Sequence, residues 1–191
     1  MRPLLRPALL AGTLALLLAG CGGRYRAVSD TPVAIGRPYA VRGVTYVPAA
    51  DPAYDMLGRA SWYGGESGNR TARGEKFRPG WITAAHATLP LPSYVEVTSL
   101  DTGRVIVVRV NDRGPFARGR IIDLSRGAAQ ALGLRDAGRG SVWAGAVRVR
   151  VVEPPERDRE RLRHGKPAAP RPDADPRSLA FWRSQLAASG M

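Results

Sequence analysis

The chain has 191 residues, which corresponds to one domain with flanking segments and excludes a large multidomain assembly. Its 22 Gly and 16 Pro exclude a fully helical protein, and its net charge of +13 predicts attraction to polyanions. A single Cys excludes an internal disulfide framework and a Cys-rich zinc site, and two His residues leave little for a His-based metal cage.

The N-terminus has the pattern of an export signal. Two arginines precede an apolar run over residues 8–19, which is shorter than the roughly 20 residues that span a membrane. The run ends in Leu18–Cys21 (LAGC), which resembles the lipobox of bacterial lipoproteins, where cleavage leaves a diacylated Cys at the N-terminus. We therefore predict a signal peptide over residues 1–20 and a lipid anchor on Cys21. The alternative is an ordinary signal peptide followed by an incidental Cys.

The residue after Cys21 indicates the destination of the protein. Gly22 stands there instead of Asp, which in lipoproteins of bacteria with two membranes resembles cargo released to the outer membrane. We therefore expect a cell-envelope lipoprotein that is attached to the outer membrane through Cys21 and faces the periplasm. That location excludes nucleic acid as the partner of the positive charge.

The composition changes twice along the mature chain. Residues 21–57 contain four Pro and only short β-type runs, so they are predicted to form an extended lead-in. Residues 58–153 alternate β-branched runs with turn residues and are predicted to form one folded domain. Residues 154–191 are rich in Arg, Glu, Pro and Ala and are predicted to be a largely disordered tail, with a brief helix over Ser178–Ala188.

Strands dominate the predicted domain. Four runs have strand-like composition: Tyr94–Thr98, Arg104–Val110, Arg120–Asp123 and Ala146–Val152. Gly103 suits the positive φ of a hairpin turn between the first two. Ser125 can cap a short helix over Arg126–Leu132 that ends at Gly133. One helix among many strands indicates a small barrel.

Four blocks combine glycine turns, aromatic residues and isolated carboxylates. They are residues 60–64 (ASWYG), 71–77 (TARGEKF), 83–86 (TAAH) and 110–116 (VNDRGPF), followed by GRIIDLS over 119–125. In this order and spacing they resemble the rare lipoprotein A family of septal lytic transglycosylases, over roughly residues 58–152. The resemblance implies a mainly β fold, a six-stranded double-psi β-barrel with one or two short helices, flanked by extended or disordered segments.

The resemblance also implies a substrate and a reaction. The substrate would be peptidoglycan glycan strands, cleaved without water between N-acetylmuramic acid and N-acetylglucosamine to leave a 1,6-anhydro ring. One carboxyl group can serve this reaction, because it protonates the departing oxygen and then takes the proton of the C6 hydroxyl. The chemistry is acid–base alone, so no metal or organic cofactor is predicted, and the protein is expected to be a monomer.

Three residues match catalytic positions of the family. Asp112 is the predicted acid, and its alternative is a loop residue that bonds its own backbone. Glu75 would raise the pKa of Asp112 or stabilise charge at the anomeric carbon, although it could be a surface acid. His86 would orient a carboxylate or the substrate, and its alternative is a satisfied core histidine. Asp123 also matches, but its position before Leu-Ser favours a structural role at the helix entry.

Four residues are predicted to bind substrate. Trp62 and Tyr63 could stack on sugar faces, with core packing as the competing role, and Thr71 and Arg113 belong to the same motifs. The chain departs from the family at Arg78, where relatives usually have Asp or Asn, and a cation there would lower neighbouring carboxylate pKa values. The alternative function is therefore a non-catalytic wall-binding lipoprotein, similar to the wall-loosening expansins.

The lipid anchor has a direct test. Because the acyl chains would be bound to Cys21, the wild-type protein should incorporate labelled palmitate in cells and the Cys21→Ser variant should not. Immunoblots with equal protein in both lanes are the control. Wild-type protein that carries no label would contradict the anchor.

Overall fold

Six strands close into a barrel, which confirms the predicted fold class. The computed structural model describes residues 28–64, 68–134 and 143–190. The barrel strands are β3 (Asp55–Tyr63), β4 (Thr83–Ala85), β5 (Ser93–Ser99), β6 (Val105–Asp112), β7 (Arg120–Ser125) and β8 (Trp143–Val151). Their order around the barrel is β3-β7-β4-β6-β5-β8. The pairs β3–β7 and β4–β6 are parallel and the other four are antiparallel.

The barrel interior is filled by alternate side chains of four strands. Successive side chains of a strand point to opposite faces, so every second residue reaches the core. Two residues from each of β5, β6, β7 and β8 have no exposed surface: Val95 and Val97, Val108 and Val110, Ile122 and Leu124, and Val147 and Val149. This alternation is what the β-branched runs of the sequence indicate.

Local signals of the sequence are confirmed at the hairpin and at the first helix. Gly103 has φ of 79° in the turn between the antiparallel strands β5 and β6. Helix α1 (Arg126–Ala131) is capped by Ser125, whose Oγ accepts the backbone N–H of Ala128 at 3.2 Å. Gly133 follows the helix with φ of 74°, the left-handed conformation that ends many helices.

The lead-in packs against the barrel. It contains a hairpin of β1 (Tyr39–Val41) and β2 (Val44–Tyr46). Ala34 and Leu91 exchange two backbone hydrogen bonds of 2.8 Å, and the Tyr39 hydroxyl donates to the Ala87 carbonyl at 2.7 Å. These contacts attach the lead-in to the segment that follows β4.

The structure contradicts the expectation of a largely disordered tail. Helix α2 (Glu156–Arg163) buries Leu162 completely, and helix α3 (Pro176–Ala188) contains the predicted brief helix. The buried Asp158 carboxylate accepts the N–H of Ala169 at 3.0 Å. A few well-placed contacts order this segment, which its average composition does not reveal. The described residues thus hold three helices instead of one or two, and none of these is long and apolar enough to cross a membrane.

The docking of the tail predicts a stability effect. Leu162→Ala removes a fully buried side chain, so it should lower the free energy of unfolding by about 2 to 4 kcal/mol in urea denaturation. Phe181→Ala is the matched control, because Phe181 lies in the same tail but is 59% exposed and should change stability by about 0.5 kcal/mol or less. Equal effects of the two substitutions would mean that α2 is not docked.

Candidate functional site

Two aspartates flank the last residue of β4. Strand β4 lies between β6 and β7, and its Ala85 pairs with Asp112 on one side and with Asp123 on the other. Gly114 lies against this pair: a side-chain Cβ there would be 3.8 Å from both Ala85 Cβ and Asp123 Oδ2, and its φ is 130°. Glycine suits this position because its φ is one that other residues rarely adopt, and its backbone can lie close to the Asp123 carboxylate.

Asp112 is a half-buried acid held by the backbone. Its Oδ1 accepts the N–H of Ala72 at 2.7 Å and that of Arg113 at 2.8 Å. Burial raises the pKa of Asp112, and the charge of Glu75 acts in the same direction. The two backbone hydrogen bonds and the Arg113 charge oppose this but do not outweigh it. Asp112 therefore has the backbone hydrogen bonds of a loop-capping residue, which was the predicted alternative, and also the environment of an acid.

Glu75 is held by the side chains of three residues. Arg109 donates to both of its oxygens at 2.8 and 2.9 Å, Asn111 donates to Oε2 at 2.7 Å, and Arg73 lies 3.2 Å from Oε1. Such bidentate pairs fix the position and the orientation of the carboxyl group. The carboxylate is thus a fixed negative group beside Asp112 and not a surface acid.

Sequence reasoning missed Arg109 and Asn111. Both lie on β6, and Arg109 interrupts an apolar run (VIVVRVND) with a charge whose side chain has no exposed surface. A charged residue in the middle of a buried strand is the signal that would have found it, because such charges are almost always paired.

Tyr63 is influenced by the charges of both aspartates. Its ring stacks on Phe77 with centroids 4.7 Å apart, and its hydroxyl is buried with no hydrogen-bond partner among the described residues. Burial raises the pKa of Tyr63, and the charges of Asp112 and Asp123 raise it further. Asp123 is itself bound by Ser61 and lies in β7, and burial raises its pKa. The helix is capped by Ser125, so Asp123 is not the helix-entry residue that the sequence indicated.

His86 has the contacts of a core histidine. Its Nδ1 accepts the N–H groups of Leu89 at 3.0 Å and Thr88 at 3.2 Å, and its ring meets Tyr54 edge-on. Burial, with the Arg113 charge, lowers the pKa of His86 to about 4, so the imidazole is neutral at pH 7. Its backbone N–H donates to the Asp112 carbonyl at 3.0 Å. His86 therefore reaches the acid through its main chain.

The predicted substrate-binding residues occupy different environments. The Arg113 guanidinium donates to the carbonyls of His86, Leu89 and Ile35, so its donors hold loops together and give no support to direct substrate binding. Thr71 is buried, and its N–H donates to the Glu75 carbonyl at 2.9 Å within a tight turn. Trp62 is half-buried and packs against the core.

The departure from the family at Arg78 lies against an aromatic ring. The Arg78 guanidinium lies over the Trp81 ring, 5.1 Å from its centroid. Burial has the largest effect on the pKa of Asp112, and that pKa is raised. Within the ranges described, no group of three His, Cys, Asp or Glu residues could hold a metal ion, and Cys21 lies outside these ranges.

Comparisons with known proteins place the barrel in a family. Residues 55–150 match the family described as "Lytic transglycolase". Proteins named endolytic peptidoglycan transglycosylase RlpA are similar: that of Pseudomonas aeruginosa (strain UCBPP-PA14) is 55% identical over 107 residues, 55% of this chain and 31% of the relative. The Vibrio cholerae protein is 38% identical over 194 residues, 88% of this chain and 68% of the relative. The match with the two P. aeruginosa relatives spans about a third of their length.

The buried imidazole predicts how stability depends on pH. Between pH 6.5 and 4, His86 binds a proton in the unfolded chain but not in the folded one. The free energy of unfolding therefore decreases as the pH is lowered through this range, by about 3 kcal/mol from this group. The His86→Gln variant should lack that part of the decline in denaturation series from pH 7 to 4. His164→Gln is the control, since His164 is exposed and should keep the wild-type slope. Equal slopes for all three proteins would contradict a neutral His86.

Proposed function

Because the chain belongs to the lytic transglycolase family, we propose that it cleaves peptidoglycan glycan strands internally, between N-acetylmuramic acid and N-acetylglucosamine, without water. The observation that carries the proposal is the environment of Asp112. Its carboxyl group is partly buried, has a raised pKa and lies beside a fixed anion, as a general acid requires.

The chemistry needs one carboxyl group used twice. Both described hydrogen bonds of Asp112 go to Oδ1, so we assign Oδ2 to the glycosidic oxygen. The acid donates its proton as the bond from C1 to that oxygen breaks, and positive charge develops at C1. The C6 hydroxyl of the same sugar then bonds to C1 and returns its proton to Asp112. A 1,6-anhydro ring forms, and the acid is regenerated.

The neighbouring residues prepare this acid. The Glu75 charge keeps the Asp112 proton in place, and His86 fixes the Asp112 backbone. Tyr63 is a neutral phenol beside the carboxylates, and we assign it a role in binding the glycan near C1, with Trp62 from the same strand. Thr71 and Arg113 shape the loops around the site.

We assign the protein to the cell envelope as a lipoprotein of the outer membrane. The support is the LAGC sequence that ends at Cys21 and the Gly at position 22. From Cys21 the chain reaches Val28, where the described lead-in begins, after seven residues. An anchor so close to the barrel would hold it within about 25 Å of the membrane surface, given about 3.5 Å per extended residue. The glycan strands nearest the membrane would then be its substrate.

The acid role of Asp112 predicts a large loss of activity without a loss of fold. Asp112→Asn should lower turnover of purified glycan strands by about 10²- to 10⁴-fold, measured as anhydro-muropeptides by mass spectrometry. Asn keeps an oxygen that accepts the Ala72 and Arg113 N–H groups, so the melting temperature and glycan binding should stay near wild type.

The control for this variant is Asp55→Asn. Asp55 forms an ion pair with Arg148 that is partly exposed, so its loss should leave turnover unchanged. Full activity of Asp112→Asn would refute the assignment of the acid. Glycan binding by the wild type without any anhydro product would favour the non-catalytic wall-binding protein.

A further inference from the structure

A completely buried arginine connects Glu75 to the lead-in. The Arg109 side chain has no exposed surface, and its Nε–H donates to Asp30 Oδ1 at 2.9 Å. Its terminal nitrogens donate to the two Glu75 oxygens, and one of them also donates to the Ser29 carbonyl at 2.8 Å. The cation thus lies between two carboxylates. One belongs to the proposed site, and the other lies outside the matched residues 55–150.

We propose that Asp30 is a positioning residue of the catalytic site. It binds the Nε edge of the Arg109 guanidinium, so it fixes the position of Glu75 beside Asp112 and offsets part of the Arg109 charge. The role of Asp30 in catalysis rests on the proposed function, because Asp112 acts as an acid only if the chain cleaves glycan. Asp30 acts through Arg109 and Glu75 and needs no contact with the substrate.

The geometry of the guanidinium makes Glu75 depend on Asp30. The group is rigid and planar, so a hydrogen bond on its Nε edge sets the direction of its other N–H groups. Asp30 is itself fixed at Oδ2, which accepts the Tyr94 hydroxyl at 2.6 Å and Arg163 at 3.0 Å. These partners lie on β5 and α2, so the Asp30 carboxylate is also held by elements other than the loop that carries Glu75.

The charges around the pair determine the sign of the effect. Asp30 faces Tyr94, Arg109 and Arg163, and Arg163 also binds Glu156. Glu75 faces Arg73, Arg109 and Asn111. Asp112 faces Arg113 and Tyr63. With Asp30 in place, the charge of Arg109 is shared between two carboxylates. Without Asp30, that charge would act on Glu75 alone and would cancel more of its negative field at Asp112.

Two substitutions should therefore move the pKa of Asp112 in opposite directions. The Glu75 charge raises that pKa, so Asp30→Asn, which leaves Glu75 more fully neutralised, should lower it. Arg163→Gln removes a cation from the other oxygen of Asp30 and leaves its bond to Arg109 intact. Asp30 then offsets more of the Arg109 charge, and the pKa of Asp112 should rise.

The test is a titration of the Asp112 carboxyl carbon by NMR in the full mature chain. We expect the midpoint to fall by about 0.5 pH unit in Asp30→Asn and to rise by a smaller amount in Arg163→Gln. Asp30→Glu, which keeps the charge, should restore most of the wild-type midpoint. Asp55→Asn is the matched control, because it removes an aspartate charge from an arginine at the barrel surface.

Turnover gives the second readout. Asp30→Asn should lower kcat about tenfold with less effect on KM, and the loss of activity at high pH should begin at lower pH, because the acid loses its proton earlier. A merely structural role would reduce the folded fraction without moving the pH profile.

The outcomes separate this proposal from the proposed function. Equal Asp112 midpoints in Asp30→Asn and Asp55→Asn would overturn the positioning role, whatever the activity. If Asp30→Asn fails to fold, an unchanged midpoint in Arg163→Gln would overturn it in the same way. The midpoint could also shift in Asp30→Asn while the wild-type chain makes no anhydro product. That result would refute the glycan chemistry but leave the control of Asp112 by Asp30 in place.

Discussion

A single buried cation, Arg109, organises the polar side of this barrel. Burying a guanidinium is costly unless each side of the group is paired, and removing one partner of a buried pair typically costs about 3 to 5 kcal/mol. Here the partners come from different parts of the chain: Glu75 from a loop and Asp30 from the lead-in. The fold therefore has to bring both segments to β6, and in doing so it fixes the anion that acts on Asp112.

This small barrel places its acidic groups in different environments. Asp112 is partly buried, and burial outweighs its two backbone hydrogen bonds and raises its pKa, so its neutral form is favoured. Glu75 is bound by two arginines and an amide, which fix the position of its carboxyl group. Surroundings that raise the pKa of a carboxyl group are the usual way in which proteins obtain an acid near neutral pH.

The flanking segments are part of this arrangement. The Val28 N–H donates to the Arg163 carbonyl at 3.3 Å, and the Arg163 side chain binds Asp30, so the lead-in and α2 meet next to Arg109. Asp158 and Leu162 attach α2 to its surroundings. The structural unit is thus larger than the matched residues 55–150, and the site depends on segments that precede and follow them.

The sequence by itself determined the features that depend on neighbours along the chain. The alternating valines, the Gly103 turn and the Ser125 cap are local, and the order of the motifs indicated the barrel and the candidate acid. Only the tertiary structure decided the surroundings of that acid. Arg109 meets Asp30 across 79 positions and Glu75 across 34, and no periodicity or capping rule relates residues so far apart. The tail was misjudged for the same reason, because composition averages over a segment and does not show which of its residues, such as Leu162 and Asp158, become buried.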